Sequence, residues 1–331
     1  MSDLIVWSPN GLYLPEADVF IDPWKPVHRA IITHAHSDHA RPGHQYYLAE
    51  PVTASLIKHR LGSQTPVETL HYKKSIRING VNISFYPAGH IPGASQVRIE
   101  RRGEVWVVSG DYKRHIDGIS RPFEPVACHT FVTESTFALP IFQWQEQEKL
   151  AENLQSWVSQ KLSEGVHVLI SAYSIGKAQR VIKILNSNWI VPFVHKSIFD
   201  LQMILRELKV FDGNYAKFSD YKKHFGSSVF IIPPAADSRL PQGVSGPYVH
   251  ASCSGWMTIR GLKRRQNLDR GFPISDHADW PSLLSTIQET GASRIIAMHG
   301  FAESLARYLT EKEIKAEVFS TYSTEQVEFE S

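Results

Sequence analysis

The segment Ala30–His44 has the sequence AIITHAHSDHARPGH, which crowds histidines and one aspartate directly after a short apolar run. Alternation in an extended segment directs His34 and His36 to the same side, and a turn then brings Asp38 and His39 toward them. Imidazole and carboxylate ligands suit Zn²⁺ and, with more oxygen donors, Mn²⁺. The alternative is a histidine-rich surface loop, which we disfavour because such a cluster repels itself on protonation unless a cation holds it. The segment therefore predicts a metal site.

One loop cannot complete such a site, and candidates for the remaining ligands follow other strand-like runs. His90 follows VNISFYPA in a turn rich in Gly and Pro, Asp111 follows VWVVSG, and His299 follows RIIAM. Each alone has an ordinary explanation as a turn histidine or a capping aspartate. Together they share one context, a ligand-type side chain at the carboxyl end of an apolar strand, and that recurrence adds them to the predicted site.

The composition is that of an ordinary globular protein. The chain has 331 residues, of which 42% are hydrophobic and 21% are charged, enough for one or two domains. No apolar run reaches membrane-spanning length and the first residues carry no basic leader, so we expect a cytoplasmic protein. The cysteines, Cys128 and Cys253, indicate neither a disulfide framework nor a thiolate zinc site. Because the net charge is only +2, attraction to a polyanion must come from local clusters such as Arg260–Arg270.

The pattern of predicted elements changes near residue 141. Before it, short β-rich runs are separated by Gly, Pro and Asn, and Arg101–Gly103 is predicted to be a hairpin turn. After it, an amphipathic helix ends at Gly165 and strand-like and helical segments alternate, which predicts a parallel sheet flanked by helices. Beyond residue 248 come another helix, the strand before His299, and a final helix and strand. We therefore divide the chain into 1–140, 141–248 and 249–331.

The metal-ligand candidates resemble those of the metallo-β-lactamase fold, an α/β fold built as an αββα sandwich around a binuclear site. That resemblance implies two divalent ions, Zn²⁺ or Mn²⁺, each with its own ligands. They are His34, His36 and His90 for one ion, and Asp38, His39 and His299 for the other, with Asp111 as the bridge. Asp22, in VFIDPW, matches an aspartate that orients the loop ligands from behind.

The segment 141–248 resembles the insertion of the β-CASP branch of this superfamily, a branch of nucleases. Under this resemblance, 1–140 and 249–331 are the two parts of the metallo-β-lactamase domain, and 141–248 is an inserted β-CASP domain with a βαβ parallel sheet. The resemblance thus extends over essentially the whole chain.

Three further β-CASP motifs have matches in this sequence: Glu134 in VTESTF, His277 in PISDHADW and His299 in AMHGF. They imply that His277 is the general acid for the departing oxygen and that Glu134 supports its protonated form. Asp38 and Asp111 join them as catalytic candidates because cleavage would need the metals that they hold. The ordinary alternative for Glu134 and His277 is a residue at the start of a helix.

Two stretches farther along the chain are candidates for binding phosphate. SAYSIGKAQR lacks the glycine spacing and the hydroxyl residue after lysine that a P-loop needs, so nucleotide hydrolysis is not indicated. As a Gly-containing turn before a helix it can still offer backbone N–H groups, Ser174 and Lys177. HASCSGWMTIRGLKRR repeats the arrangement with Ser252 and Ser254, and Trp256 either stacks on a base or packs in the core.

The resemblance favours a metal-dependent nuclease. FIDPWKP, SGDYKRH and ISDHADW look like bacterial ligase-associated DNA exonucleases, which implies DNA as the substrate, a role in repair beside an ATP-dependent DNA ligase and a helicase, and no membrane. His299 instead favours an RNA-processing β-CASP ribonuclease, since eukaryotic DNA-acting relatives usually have valine there. A small-molecule thioesterase or lactonase would lack Glu134 and His277, and an inactive scaffold would have lost ligands. Cleavage polarity and the choice between exo- and endonuclease stay open.

Overall fold

The computed structural model describes residues 3–223, 226–236 and 239–319. Two compact units divide them: a first unit of residues 3–140 and 277–319, and a second unit of residues 141–276. Within the described ranges no helix has both the length and the apolar character needed to cross a bilayer.

The elements follow one another along the chain in three stretches. In 3–140 they are β1 (Val6–Ser8), β2 (Gly11–Leu14), β3 (Val19–Ile21), β4 (Arg29–Ile31), β5 (Tyr46–Ala49), α1 (Pro51–Leu61), β6 (Val67–Thr69), β7 (Ser75–Ile78), β8 (Val81–Pro87), β9 (Ser95–Arg101), β10 (Glu104–Val108) and β11 (Thr130–Glu134). In 141–276 they are α2 (Gln147–Ser163), β12 (His167–Ser171), α3 (Lys177–Asn186), β13 (Phe193–Val194), α4 (Lys196–Glu207), β14 (Ala216–Lys217), β15 (Val229–Ile232), β16 (Tyr248–Cys253), α5 (Arg260–Arg265) and β17 (Arg270–Phe272). In 277–319 they are α6 (Trp280–Thr290), β18 (Arg294–Met298), α7 (Ala302–Glu311) and β19 (Lys315–Val318).

The first unit contains two mixed sheets, with strand orders β1-β2-β3-β4-β5-β6 and β19-β18-β11-β10-β9-β8-β7. Successive side chains of a strand point to opposite faces of its sheet. Ile31 of β4 therefore lies in the core that both sheets share, whereas Ala30 and Ile32 face α1. On β18, Ile296 lies in the shared core, and α7 contacts β18 and β19. The layers therefore run helix, sheet, sheet, helix, and the predicted α/β class is confirmed.

The second unit contains one sheet, with strand order β14-β13-β15-β12-β16-β17. Every pairing in it is parallel, as the alternation of strands and helices predicted. Apolar side chains of α2, α3 and α4 pack with Val168 and Ile170 of β12, while Leu169 lies in a separate cluster with Phe230. Helices therefore cover one face of this sheet.

The second unit ends at Asp276, whereas the predicted end of the insertion is residue 248. β16 pairs with β12 along its length, and β17 pairs with β16, so both strands belong to the second sheet. The composition of an apolar strand does not reveal which of two sheets it joins. That is why the strand YVHASC could not be assigned from its pattern.

A hairpin turn and a helix are two local features of residues 3–140 that bear on the sequence predictions. The predicted hairpin turn is confirmed, because β9 and β10 are antiparallel neighbours joined by Arg102 and Gly103 at φ 52° and 82°. Helix α1 lies in a region that was predicted to be β-rich. Its start is set by Glu50, whose carboxylate accepts the Val52 N–H at 2.7 Å, and by proline in the first turn.

Candidate metal centre

These site candidates of the first unit lie at the carboxyl end of a strand or in the loop that follows it. The strand ends and the residues that follow them are β3 with Asp22, β4 with His34, His36, Asp38 and His39, β8 with His90, β10 with Asp111, β11 with Glu134 at its last position, and β18 with His299. Strand ends place short, rigidly anchored loops side by side, which explains how residues far apart in sequence converge.

Three imidazole nitrogens meet at one point. His36 Nδ1 lies 3.1 Å from His34 Nε2 and 3.1 Å from His90 Nε2. Donor atoms of these histidines and of Asp111 all lie within 4.8 Å of one another. Tetrahedral zinc with Zn–N bonds of about 2.0–2.1 Å sets its nitrogens about 3.3 Å apart, so this donor set fits one divalent cation.

Asp111 lies between this cluster and the rest of the site. Its Oδ2 is 3.5 Å from His34 Nε2, 3.5 Å from His39 Nε2 and 3.7 Å from His90 Nε2. Although burial opposes ionisation, His39 and then His277 hold the pKa of Asp111 well below its ordinary value. A buried, ionised carboxylate that faces histidines of both predicted ligand sets has the position that a bridging ligand needs.

The second predicted ligand set lies beside Asp111 but is less compact than the first. His39 Nε2 is 3.5 Å from Asp38 Oδ2, and the rings of His39 and His299 are 5.8 Å apart. Burial lowers the pKa of His299, which favours the neutral imidazole that binds metals. His299 has a left-handed backbone at φ 62°, and Ser135 Oγ donates to the adjacent Met298 carbonyl at 2.9 Å.

Asp22, the residue predicted to orient the loop ligands, contacts His39. Asp22 Oδ2 is 2.8 Å from His39 Nδ1, which leaves His39 Nε2 to face Asp111. The Asp22 carboxylate also accepts the Thr33 N–H at 2.8 Å and the Thr33 hydroxyl at 2.6 Å. Burial lowers the pKa of His39, but Asp111, Asp38 and Asp22 outweigh it and raise that pKa well above the ordinary value. The same negative potential would favour a bound cation.

Glu134 and His277 form a buried pair next to Asp111. His277 Nδ1 is 2.8 Å from Glu134 Oε2 and 4.0 Å from Asp111 Oδ2. Donor atoms of these three residues lie within 4.8 Å of one another, so they too could hold a cation. However, Glu134 Oε1 accepts the Tyr112 N–H at 2.5 Å, so a metal would have to displace bonds that both carboxylate oxygens make. The geometry therefore favours Glu134 as the partner that orients His277.

The candidates for phosphate binding lie in the second unit, at or after the carboxyl ends of β12 and β16. Ser174 Oγ lies 3.1 Å from Ser197 Oγ, and Ser254 Oγ accepts the Trp256 N–H at 3.3 Å. Lys177 is buried, with Nζ 4.3 Å from the centre of the Tyr173 ring.

Ser252 pairs in register with the last residue of β12, and its side chain is largely buried. Trp256 is only 6% exposed, and its ring meets Phe142 edge-on at 5.6 Å. That packing disfavours the alternative in which Trp256 stacks on a base, because stacking needs an open ring face.

Several supporting residues were not singled out from the sequence. Thr33 and Ser135 hold the loops of His39 and His299, as described above. Lys113 is fully buried, and its Nζ donates to the His90 carbonyl at 2.9 Å and to Asp117 Oδ2 at 2.6 Å. The available signal for Lys113 was its place two residues after Asp111.

Known proteins similar in sequence to this chain have names that refer to nucleic-acid enzymes. The chain is 27% identical over 93% of its length to a protein named "Probable DNA ligase" from Opitutus terrae, and it covers 30% of that protein. It is 28% identical over 78% of its length to "Endoribonuclease YSH1" from Kluyveromyces lactis, of which it covers 41%. An "RNase J-like protein" from Methanocaldococcus jannaschii is 27% identical over 54% of this chain, which covers 47% of that relative.

The chain thus spans less than half the length of each of these relatives. No family model matches it. A solved structure of a protein of unknown function from Enterococcus faecalis aligns with a TM-score of 0.59 at 13% identity, over 88% of this chain and 79% of that one, which is a likeness of fold. The chain is thus similar to proteins whose names refer to DNA ligation and to RNA cleavage.

Proposed function

We propose that this protein is a metal-dependent nuclease of the β-CASP type that hydrolyses phosphodiester bonds in DNA. The observation that carries the proposal is the position of Asp111, which lies within 4.0 Å of metal-ligand histidines on one side and of His277 on the other. A metal cluster alone is common to many hydrolases. A buried histidine with its own carboxylate beside that cluster fits a reaction whose leaving group needs a proton.

The chemistry divides between the ions and the chain. Two bound divalent cations, zinc or manganese, would activate the attacking water and offset charge on the phosphoryl oxygens. Asp22 holds the tautomer of His39, and Lys113 holds the loop of His90 through its carbonyl. Because Nδ1 of His277 is bonded to Glu134, proton delivery to the departing oxygen would run through Nε2.

DNA is the favoured substrate. The relative from Opitutus terrae, which is similar over 93% of this chain, is named "Probable DNA ligase", and the motifs resemble ligase-associated DNA exonucleases. We therefore place the protein in DNA repair, acting on single-stranded or end-containing DNA beside an ATP-dependent DNA ligase and a helicase. The proposed setting is the cytoplasm.

RNA is the second candidate substrate, and specific observations favour it. Two of the relatives are named an endoribonuclease and an RNase J-like protein, and His299 occupies the position where RNA-acting β-CASP enzymes have histidine.

The experiment that separates the two uses matched single-stranded DNA and RNA oligonucleotides, labelled separately at their 5′ and 3′ ends, with Mn²⁺ or Zn²⁺ and with Asp38→Ala as the blank. Stepwise shortening of DNA, with RNA largely spared, supports the exonuclease and gives its polarity. Preferential cleavage of RNA would assign the protein to RNA processing instead.

A further inference from the structure

Two arginines outside the ligand sets are anchored to the metal loop. Arg41 Nε donates to the Asp38 carbonyl at 3.1 Å, and Arg60 Nη2, from α1, donates to the Ala40 carbonyl. The Tyr47 hydroxyl donates to the Arg41 carbonyl at 3.0 Å, which fixes the backbone of Arg41 as well. Each guanidinium is therefore held by one of its N–H groups. Because the guanidinium is planar, its other N–H groups are held in a fixed direction as well.

The backbone carbonyls that bind the two arginines lie on the solvent-facing side of the candidate metal centre. The Asp38 side chain is 68% exposed, whereas those of His39 and Asp111 are 7% and 9% exposed. Arg60 is exposed and Arg41 is half-buried. Among the residues that the structure describes, neither guanidinium forms an ion pair with a carboxylate. Two positive charges therefore lie near the exposed Asp38 carboxylate, and neither is held in a direct ion pair with a described residue.

We infer that Arg41 and Arg60 form a phosphate clamp, which binds a backbone phosphate of the nucleic-acid strand next to the scissile one. The inference rests on the proposed nuclease function. It adds the path of the nucleic-acid strand, which would leave the metal centre on the side where Asp38 is exposed. Guanidinium groups suit this role because their N–H donors match phosphate oxygens in pairs. An anchored guanidinium also loses less side-chain entropy on binding than a free one.

The alternative role of the two arginines is purely structural, to hold the backbone of the metal loop. The ionic-strength dependence of nucleic-acid binding distinguishes this role from phosphate binding. Each single-strand phosphate contact contributes about 0.7 to the slope of log affinity against log salt concentration, and a residue that only supports the loop contributes nothing. The test measures binding of a fluorescent single-stranded DNA oligonucleotide by anisotropy in the Asp111→Ala background, where cleavage is expected to be blocked. Arg41→Gln, Arg60→Gln and the matching lysine variants are added to that background.

We expect each glutamine variant to bind about 10-fold more weakly and to lose about 0.7 of the salt slope, whereas each lysine variant keeps the slope and loses only part of the affinity. Arg29→Gln is the matched control, because Arg29 is an exposed arginine at the opposite end of the strand that leads into the metal loop. Metal content and melting temperature are recorded for the arginine variants in the otherwise wild-type protein.

An unchanged salt slope in both glutamine variants overturns the clamp, and a loss of metal or stability with that slope intact assigns the arginines to loop support alone. Failure of the proposed function gives a different result: the wild-type protein cleaves neither DNA nor RNA with metal, and the Asp111→Ala parent binds neither. In that case both conclusions fall. Cleavage by the wild type with unchanged binding by the variants removes only the clamp.

Discussion

His277 Nδ1 lies 2.8 Å from Glu134 Oε2, and both side chains are buried beside Asp111. Two hydrogen bonds of Tyr112 keep the pair in place. The Tyr112 N–H donates to the other Glu134 oxygen, and the Tyr112 carbonyl accepts the Ala278 N–H at 2.6 Å. Burial raises the pKa of Glu134, so its bond to His277 is also what makes the carboxylate form tolerable there. This arrangement orients the His277 ring through its Nδ1 atom.

Replacing His277 by asparagine should lower kcat by about 10²–10⁴-fold while both metals stay bound, because a proton donor is lost and no ligand is. Metal content by mass spectrometry and single-turnover cleavage check this together. Loss of metal along with activity would instead make His277 a ligand. Glu134→Gln should reduce kcat less, since glutamine can still accept a hydrogen bond from Nδ1.

Replacing Asp22 by asparagine should weaken metal binding by about 10–100-fold, the effect typical of residues that orient a metal-binding histidine. The cause is loss of the charged oxygen that faces His39 Nδ1. Asp18→Asn is a matched control, because Asp18 has a similar left-handed backbone at φ 52°, and the described hydrogen bond of its side chain is with the Tyr13 hydroxyl and not with a histidine. Equal metal affinity in the two variants, by competition with a chelating dye, would remove Asp22 from this role.

Replacing Gly110 by alanine should destabilise the protein by about 1–3 kcal/mol more than replacing Gly103 does. Both glycines have positive φ, 55° and 82°, so both substitutions carry backbone strain. A Cβ at Gly110 would lie 2.7 Å from Thr33 Cβ, whereas a Cβ at Gly103 meets nothing within 4 Å. Urea denaturation gives the difference directly. Because Thr33 holds Asp22, only the Gly110 variant should also lose activity, and equal stability of the two would contradict the close approach.

Removal of metal by a chelator should lower the melting temperature, and Zn²⁺ or Mn²⁺ should restore it. An ion present at 100 times its Kd stabilises the fold by about 2.7 kcal/mol if the unfolded chain does not bind it. His34→Ala should abolish most of this shift, because His34 is fully buried among the histidines of the compact cluster. His299→Ala should remove only the part that belongs to the second ion. A chelator-insensitive melting temperature in the wild type would contradict structural coupling to metal.

The convergence of the candidate metal ligands could be predicted from sequence because each has a ligand-type side chain at a recognisable place. His90, Asp111 and His299 follow apolar strands, and the strand ends bring them to the metal loop. The parallel sheet of the second unit was likewise predictable, since βαβ alternation leaves few other arrangements.

Other features were out of reach because they depend on partners that leave no mark in the sequence. Arg41 and Arg60 bind backbone carbonyls, which every residue has. The end of the second unit at Asp276 depends on which sheet β16 joins, and the burial of Trp256 depends on its contact with Phe142. Tertiary packing decides all of these, and local pattern does not report it.

The most direct test of the central claim is a metal titration of chelator-treated protein that follows bound metal and cleavage of a labelled oligonucleotide in the same samples. The account predicts that cleavage is absent without metal, rises as the sites fill, reaches its maximum at two ions per chain, and stays absent in Asp111→Ala at every metal concentration. Full cleavage by the metal-free protein, or full activity of Asp111→Ala, would contradict it.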